Sequence, residues 1–461
     1  MVINMNKLIA EKINRLSATE MINKIKNKEI SVTELIRAHI AHIEKIESKV
    51  QAWIYFDKNL AIKKAEEIDN RIKNNSKIGV FYGIPVGVKD IFNTFDMPNE
   101  MGSPIWKDYT PGNDARVVFN IREEDAIIPG KTVTAEFAVH AENKTLNPHN
   151  QEFSPGTSSS GSAVAVASYM VPLSLGTQTG GSIIRPASYN GIYGMKPSFG
   201  LIPRTGMLKT TDTLDTVGFF ARTIEDLRLM LDVTRVKGWD YPFVNKFLED
   251  KKRQIKTKMP WKVAFIKAPV WKYAEQYAKE AILNFVNELS KNKDIIVEEV
   301  ELPDGFEKAH EIHTLIYDKT LSYYFNKEYS ENIGQLSSII REIIARGNKI
   351  TLDQYKEALE KQSELALKLD KFFEKYDIIL ALSTSAHAPK KGLIEDPDTS
   401  LIWTMCWVPS ISLPIFKAPN NMPFGAQIVA KRYNDYFLLN FAEFLRDNNY
   451  IKNGTYPDIN F

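Results

Sequence analysis

The sequence lacks most of the features that would make its chemistry easy to name. Its single cysteine, Cys406, rules out an intramolecular disulfide and any thiolate cluster for zinc or iron–sulfur. That usage suits a reducing compartment, so a cytoplasmic home is expected. It also lacks a surplus of charge. Its 59 lysines and arginines face 57 acidic residues, too even a balance to neutralise a phosphate backbone, and no nucleic-acid partner is expected from charge. The densest basic run, KKRQIKTK at 251–258, reads as a solvated loop. No uncharged apolar stretch reaches the ~18 residues of a membrane span, and MVINMNKLIAEK at the N-terminus is too broken by charge to be a signal peptide, so no membrane is expected. There is no repeat of solenoid period and no low-complexity linker, which points to one domain over 1–461. The usual apparatus of serine hydrolysis is missing too. No G-x-S-x-G elbow occurs, and none of the seven histidines lies in a recognisable acyl-transfer motif.

What is present begins with helix signals. SATE (Ser17 to Glu20) and SVTE (Ser31 to Glu34) have the spacing of capping boxes, and Leu35, Ile36, His39, Ile40 and Ile43 then recur at helical period, so 17–75 is expected to form a helical layer. From about 80 to 235 short apolar runs such as VGV and AVAVA are broken by Gly, Pro, Ser and Thr. This is where strands and buried helices meet in tight loops, and where the chemistry is expected. Beyond it a strand at 261–266, a helix at 274–291, a strand at 295–302, a long amphipathic helix at 352–376, a strand at 377–382 and a final helix over YFLLNFAEFLRD alternate as α/β units do.

Two segments stand out within 80–235. SPGTSSSGSAVAVA at 154–167 begins like a linker and ends like a core wall, so its serines must find specific partners next to buried apolar residues. GTQTGGSIIRP at 176–186 places two glycines before Ser182 and a proline where a helix could begin. Glycines there let consecutive backbone amides point at one spot beside the serine, as an oxyanion hole at Thr179, Gly180, Gly181 and Ser182 would require. A serine nucleophile also needs a base. Without a suitable histidine the candidate is a lysine, and GIPVGVKDIF supplies Lys89 at the end of an apolar run, where burial would disfavour the charged ammonium.

This combination resembles the amidase signature family. GIPVGVKD is similar to the family's lysine motif, GKTVTAEF at 130–137 to its GKTNTPEF element, and residues 155–186 to its Gly/Ser-rich signature, with fainter likeness out to MPFGAQIVAKRYND at 422–435. The resemblance implies an α/β fold: one large domain with a central mixed β-sheet covered by helices. It implies an amidase that cleaves a carboxylic amide C–N bond through a seryl acyl-enzyme, with a Ser-cisSer-Lys set and neither metal nor organic cofactor. By it, Ser182 is the nucleophile, Ser158 the bridging serine preceded by a cis peptide bond, Lys89 the base, and Ser159 a supporting hydroxyl. The run Ser158-Ser159-Ser160 leaves the register open on the residues alone, and the family's separation between the two serines selects Ser158.

Departures from the family pattern set the remaining expectations. Gln178 and Ile184 stand where Asp and Arg are common, so a charge pair is lost as a pair, which can be nearly neutral; Arg185 is expected to support the loop from another direction. Thr157 and Ser160 replace glycines. LSTSAHAP at 382–389 lacks a usual proline and is placed in the pocket wall. His310 and His313 miss the H-E-x-x-H spacing and read as surface or core residues, not metal ligands. Ile316, Tyr317, Trp403 and Trp407 read as core, and the aromatic-rich stretch from Ile316 as helix packing. Specificity is expected from loops near 100–125, 205–215 and 305–410. The expected partner is a small-molecule amide of unspecified type, with a homo-oligomer left open. The rival reading is the glutamine-hydrolysing A subunit of a glutamyl-tRNA(Gln) amidotransferase. An inert scaffold on the same frame is disfavoured by the joint presence of Lys89, Ser158 and Ser182.

Overall fold

A computed structural model describes residues 13–237, 244, 247–267, 269–452, 454, 455, 457 and 459. Both N-terminal capping boxes form. Ser17 and Ser31 accept from the amides of Glu20 and Glu34, whose carboxylates accept in return from the two serine amides, starting helices Ala18–Lys26 and Val32–Val50. The expected helical layer is interrupted once. Trp53–Phe56 is a strand, because the aromatic and β-branched run WIYF packs better on a pleated edge than on a helix. The helix Lys58–Lys73 follows it.

The strands, in chain order, are β1 (Trp53–Phe56), β2 (Val86–Lys89), β3 (Gly130–Thr132), β4 (Leu173–Gln178), β5 (Tyr193–Lys196), β6 (Thr216–Ala221), β7 (Trp261–Phe265), β8 (Ile295–Glu299), β9 (Ile378–Leu382), β10 (Ser410–Lys417) and β11 (Pro423–Val429). They join in one mixed sheet of order β1-β3-β2-β4-β6-β5-β10-β11-β9-β7-β8. β2 runs parallel to β3 and β4, β7 parallel to β8 and β9, and the strands between are antiparallel. The expected α/β class, a single domain with a helix-covered central mixed sheet, is therefore the observed one. β2, β4 and β6 are buried along their whole length, so the polar side chains they carry, Lys89, Ser174, Thr177, Gln178 and Thr216, are held inside the fold.

The predicted elements after residue 260 form with small shifts: helices Gln276–Leu289, Leu352–Phe372 and Asp435–Asp447, and strands β7, β8 and β9. Two details differ. Leu352, expected on the apolar face of its helix, is 74% exposed because it occupies the first turn, beyond the packing surface. The basic run at 251–258 starts as a single helical turn, Lys251–Gln254, capped by Asp250. No helix among the described residues is long and apolar enough to cross a membrane.

The Gly/Ser segment resolves into a loop and a short helix, Ser160–Ala167, every residue of which is buried. Its alanines and valines pack against Ile46, Val50, Trp53, Ile183 and Phe220. Its one interior hydroxyl, Ser162, donates to Leu175 O on β4 and pairs with Thr132 on β3, so a polar atom in the core is satisfied by the strands it faces. This docks the loop 154–159 onto the C-terminal ends of β2 and β4, where ligands collect in sheets with parallel strands.

Candidate active site

Lys89 is the last residue of β2 and has no exposed surface. Its Nζ lies 2.9 Å from Ser158 Oγ, 3.0 Å from Ser159 Oγ and 3.0 Å from Thr177 Oγ1. Three partners match either the three donors of an ammonium or the two donors and one lone pair of a neutral amine. Burial holds this amine well below the usual lysine value; Asp215 opposes the shift and Arg185 reinforces it. The neutral form is therefore favoured, and it can accept a proton from a hydroxyl. Thr177, one of the three partners, was not singled out in the sequence. Its place in an inward-facing β4 was the only signal for it. Ser159 also donates to Thr177 O at 3.2 Å, which orients its hydroxyl.

The Thr157–Ser158 peptide bond is cis. Thr157 and Ser160, the two replacements for glycine, both find partners. Thr157 N and Oγ1 donate to Glu395, at 3.1 and 2.7 Å, and Ser160 Oγ accepts from Asn143 Nδ2 at 2.9 Å. Gly156 does need to be glycine. Its φ is +86° and a Cβ there would lie 2.7 Å from Pro186 Cα.

Ser182 is 6% exposed and faces a cavity of about 660 Å³. The amides of Thr179, Gly180, Gly181 and Ser182 donate to no acceptor among the described residues, whereas those of Ile183 and Ile184, immediately after, are both taken by Gln178 Oε1 at 2.9 and 3.0 Å. Gln178 Nε2 donates to Thr404 Oγ1, which donates to Gly180 O at 2.8 Å. Gln178 thus does by neutral hydrogen bonds what a charge pair does elsewhere in the family pattern: it anchors the loop on both sides of Ser182. The glycines act by space, not by φ. Neither Gly180 nor Gly181 has a positive φ, but a Cβ on Gly181 would sit 2.1 Å from Asp398 Cγ, while one on Gly180 would meet only His313, at 3.9 Å. The following helix starts at Ile184, two residues before Pro186.

Arg185, expected to support the nucleophile loop, instead holds the loop 154–159. It is 2% exposed, its guanidinium donates to Thr157 O and Oγ1, and it pairs with Glu395 (2.8 Å) and Asp398. Burial pushes the Asp398 carboxyl up to about 6 against the pull of Arg185. Glu395 ends below its ordinary value, because Arg185 and the hydroxyls of Ser154 and Thr157 outweigh the effect of burial. Glu395 and Asp398 were invisible in the sequence, lying more than two hundred positions from the loop they hold.

The cavity corrects several expectations. His313 is buried, as a core reading expects, and His310 is half-buried, but both also line it, with His313 stacked on Tyr317 (ring centroids 5.4 Å apart) and its Nε2 2.9 Å from Thr179 O. Ile316, Trp403 and Tyr317 are core as expected, Tyr317 also showing in the lining, and Trp407, half-buried, donates to Thr213 O. The lining comes from 138–157, 179–185, 310–346 and 392–401. Residues 100–125 and 205–215 do not contribute, and 382–389 lies behind the wall, where Ser383 bonds Ser412 and Thr384 bonds Ser188.

A family model described as Amidase matches residues 34–439. Curated relatives include the A subunits of two glutamyl-tRNA(Gln) amidotransferases. That of Clostridium botulinum (strain Hall) is 30% identical across 93% of this chain and 96% of its own, and that of Bacillus cytotoxicus is 30% identical across 91% and 94%. Among solved structures, the crystal structure of an amidase superposes with a TM-score of 0.83 at 24% identity, covering 94% of this chain and 100% of that one. The native peptide amidase of Stenotrophomonas maltophilia does so with a TM-score of 0.81 at 21% identity, covering 96% and 99%. These two likenesses bear on the fold.

Proposed function

The chain belongs to the amidase family and is an amide C–N hydrolase; on that premise we propose that it acts through an acyl-enzyme on Ser182, with Lys89 as base and Ser158 as the hydroxyl between them. The observation that carries the reading is the Lys89 amine, fully buried and bonded to Ser158 and Ser159 beneath a cavity that Ser182 faces. Lys89 in its neutral form takes a proton from Ser158 as Ser158 takes one from Ser182, and the Ser182 oxygen adds to the substrate carbonyl. The oxyanion is received by the unpartnered amides of Gly180, Gly181 and Ser182, each donor of this kind being worth about 3–4 kcal/mol in the transition state. The proton then returns through Ser158 to the leaving nitrogen, the C–N bond breaks, and water adds to the acyl-enzyme by the same relay in reverse. Every step is a proton transfer or an addition–elimination at carbon, so no metal or organic cofactor is needed. A screen of an amide library with wild type beside Ser182→Ala tests this: hydrolysis is expected only in wild type, and equal hydrolysis by both proteins would overturn it.

A second reading rests on the names of the curated relatives: that the chain frees ammonia from glutamine as the A subunit of a glutamyl-tRNA(Gln) amidotransferase, which would bring a tRNA-binding partner. Gln178 and Ile184, where that pattern has Asp and Arg, favour the free-standing amidase. Glutaminase activity together with co-purification of a tRNA-binding protein would reverse the order. Activity without a partner supports the first reading.

A further inference from the structure

Resting on the hydrolytic reading above, we propose that the cavity beside Ser182 takes an amide whose apolar arm carries a positive charge, and that it disfavours one carrying a carboxylate. Six carboxylates line the cavity: Glu142, Asp318, Glu342, Glu395, Asp396 and Asp398. Two guanidinium groups face them, and both are committed. Arg185 pairs with Glu395 and Asp398, and Arg346 grips Asp318 with two bonds, at 2.7 and 3.3 Å.

The three histidines in the lining supply no cation either. Burial pushes His313 down to about 4 and lowers His310. Their Nε2 atoms donate to carbonyls, His313 to Thr179 O and His310 to Asp398 O, both at 2.9 Å. His140 is the exposed one of the three, and the nearby Arg185 holds its pKa down. No uncommitted cation among the described lining residues is therefore left to receive a substrate carboxylate.

The same count read from the other side identifies what does fit. Glu142, Glu342 and Asp396 make no ion pair among the described residues and are exposed at the mouth, Asp396 accepting from the Ser385 hydroxyl. The lining also holds apolar groups, Ile339, Ile343, Leu401 and Tyr317, with Leu393 and Ile394 standing 63% and 96% exposed at the rim on the loop that also carries Asp396. An acyl or amine portion with several methylenes or a ring would replace water along that lining, and an ammonium at its end would meet three carboxylates that are not yet ion-paired. Carboxylates lining a concave, low-dielectric wall focus their field into it, so they act on a charged substrate in its approach as well as in its bound position. In the proposed mechanism the unpartnered amides of Gly180 to Ser182 receive the carbonyl oxygen at the inner end, which sets the direction in which such a substrate lies.

The test uses three serine-reactive fluorophosphonates of equal length, ending in trimethylammonium, tert-butyl or carboxylate, the first two being nearly isosteric. The rate of Ser182 modification in the full-length protein is followed by mass spectrometry at low and high salt. The expected order is cation over neutral over anion, spanning about 10- to 100-fold at low salt and narrowing as salt screens the field. In a Glu142→Gln, Glu342→Gln, Asp396→Asn triple variant the spread is expected to shrink toward that of the salt-screened wild type. Equal rates for the three probes, a fastest carboxylate probe, or an unchanged spread in the triple variant would overturn the substrate class while leaving the hydrolytic reading standing. If none of the three modifies Ser182 in folded protein, the hydrolytic reading falls and takes the substrate class with it.

Discussion

The floor of the cavity and its wall are built on opposite electrical terms. The floor, made by the ends of β2 and β4 and the loops around Ser158 and Ser182, is held near Lys89 and Ser182 mostly by uncharged partners, three hydroxyls on Lys89, Gln178 on two amides and Thr404 on a carbonyl, and charged groups reach it at Thr157, from Arg185 and Glu395, and at Thr179, from Asp215. The wall, made by helices Ala309–Tyr324 and Ser338–Lys349 and the loop 392–398, holds its structure with ion pairs, Arg346 on Asp318 and Arg185 between Glu395 and Asp398. The difference follows from what the floor must do. A carboxylate about 4 Å from a buried amine interacts with it by about 4 kcal/mol at an effective dielectric constant of 20, enough to restore roughly three units of pKa and keep the amine protonated. A base at Lys89 therefore tolerates little unpaired negative charge nearby: Asp215, which opposes the shift, is engaged by the Thr179 hydroxyl and the amides of Thr210 and Thr211, and Arg185 pairs with the two wall carboxylates that reach the loops.

This contrast can be broken or sharpened in several ways. The largest effect is expected from the floor. Ser182→Ala should lower amide turnover by about 10³-fold or more with the thermal midpoint nearly unchanged, since only a hydroxyl facing the cavity is removed; turnover and melting measured together check it. Lys89→Met should cost a similar factor. In the proposed mechanism the amine works unprotonated, so kcat/KM should fall as pH falls through a lysine pKa that burial has moved well below the ordinary lysine range. A flat profile on the acid side would remove Lys89 from the role of base.

Importing the wall's logic into the floor is the direct test of the comparison. Thr177→Asp puts a carboxylate against Lys89, and the acid limb of the profile should move to higher pH by one unit or more, whereas Thr177→Val should leave its position close to wild type. Removing charge from the wall acts on stability instead. Arg185→Met leaves Glu395 and Asp398 buried without their cation and frees the carbonyl of Thr157, and should destabilise the fold by about 3–5 kcal/mol in denaturant unfolding. The smallest pair of effects separates the two glycines. Gly181→Ala, which drives a methyl into Asp398, should lower turnover by about 10²-fold, and Gly180→Ala, with open space before His313, by less than tenfold. Equal effects at the two positions would mean that Asp398 does not control the loop.

Much of the floor was legible in the sequence alone. Capping boxes, apolar runs and the Gly/Ser segment are local patterns, and Lys89, Ser158, Ser159 and Ser182 each sit in a short motif. The wall was not. Glu395 and Asp398 lie on a loop with no regular period, and their meaning depends on Arg185, far away in sequence. His310 and His313 were read by spacing as bystanders, because nothing local tells which face of their helix turns toward a cavity. The strand Trp53–Phe56 was hidden inside helical surroundings, since its four residues gain a partner only when β3 arrives from 130–132.

The sequence by itself determined the class of fold, the amide-cleaving family and the motif residues offered for its chemistry, because helix caps, buried strands and a dense catalytic motif depend on neighbours a few residues apart. Tertiary structure decided which of those residues meet, what keeps the lysine amine uncharged, and which carboxylates shape the space above the serine. Desolvation and charge pairing arise only when segments hundreds of residues apart close over the same few atoms.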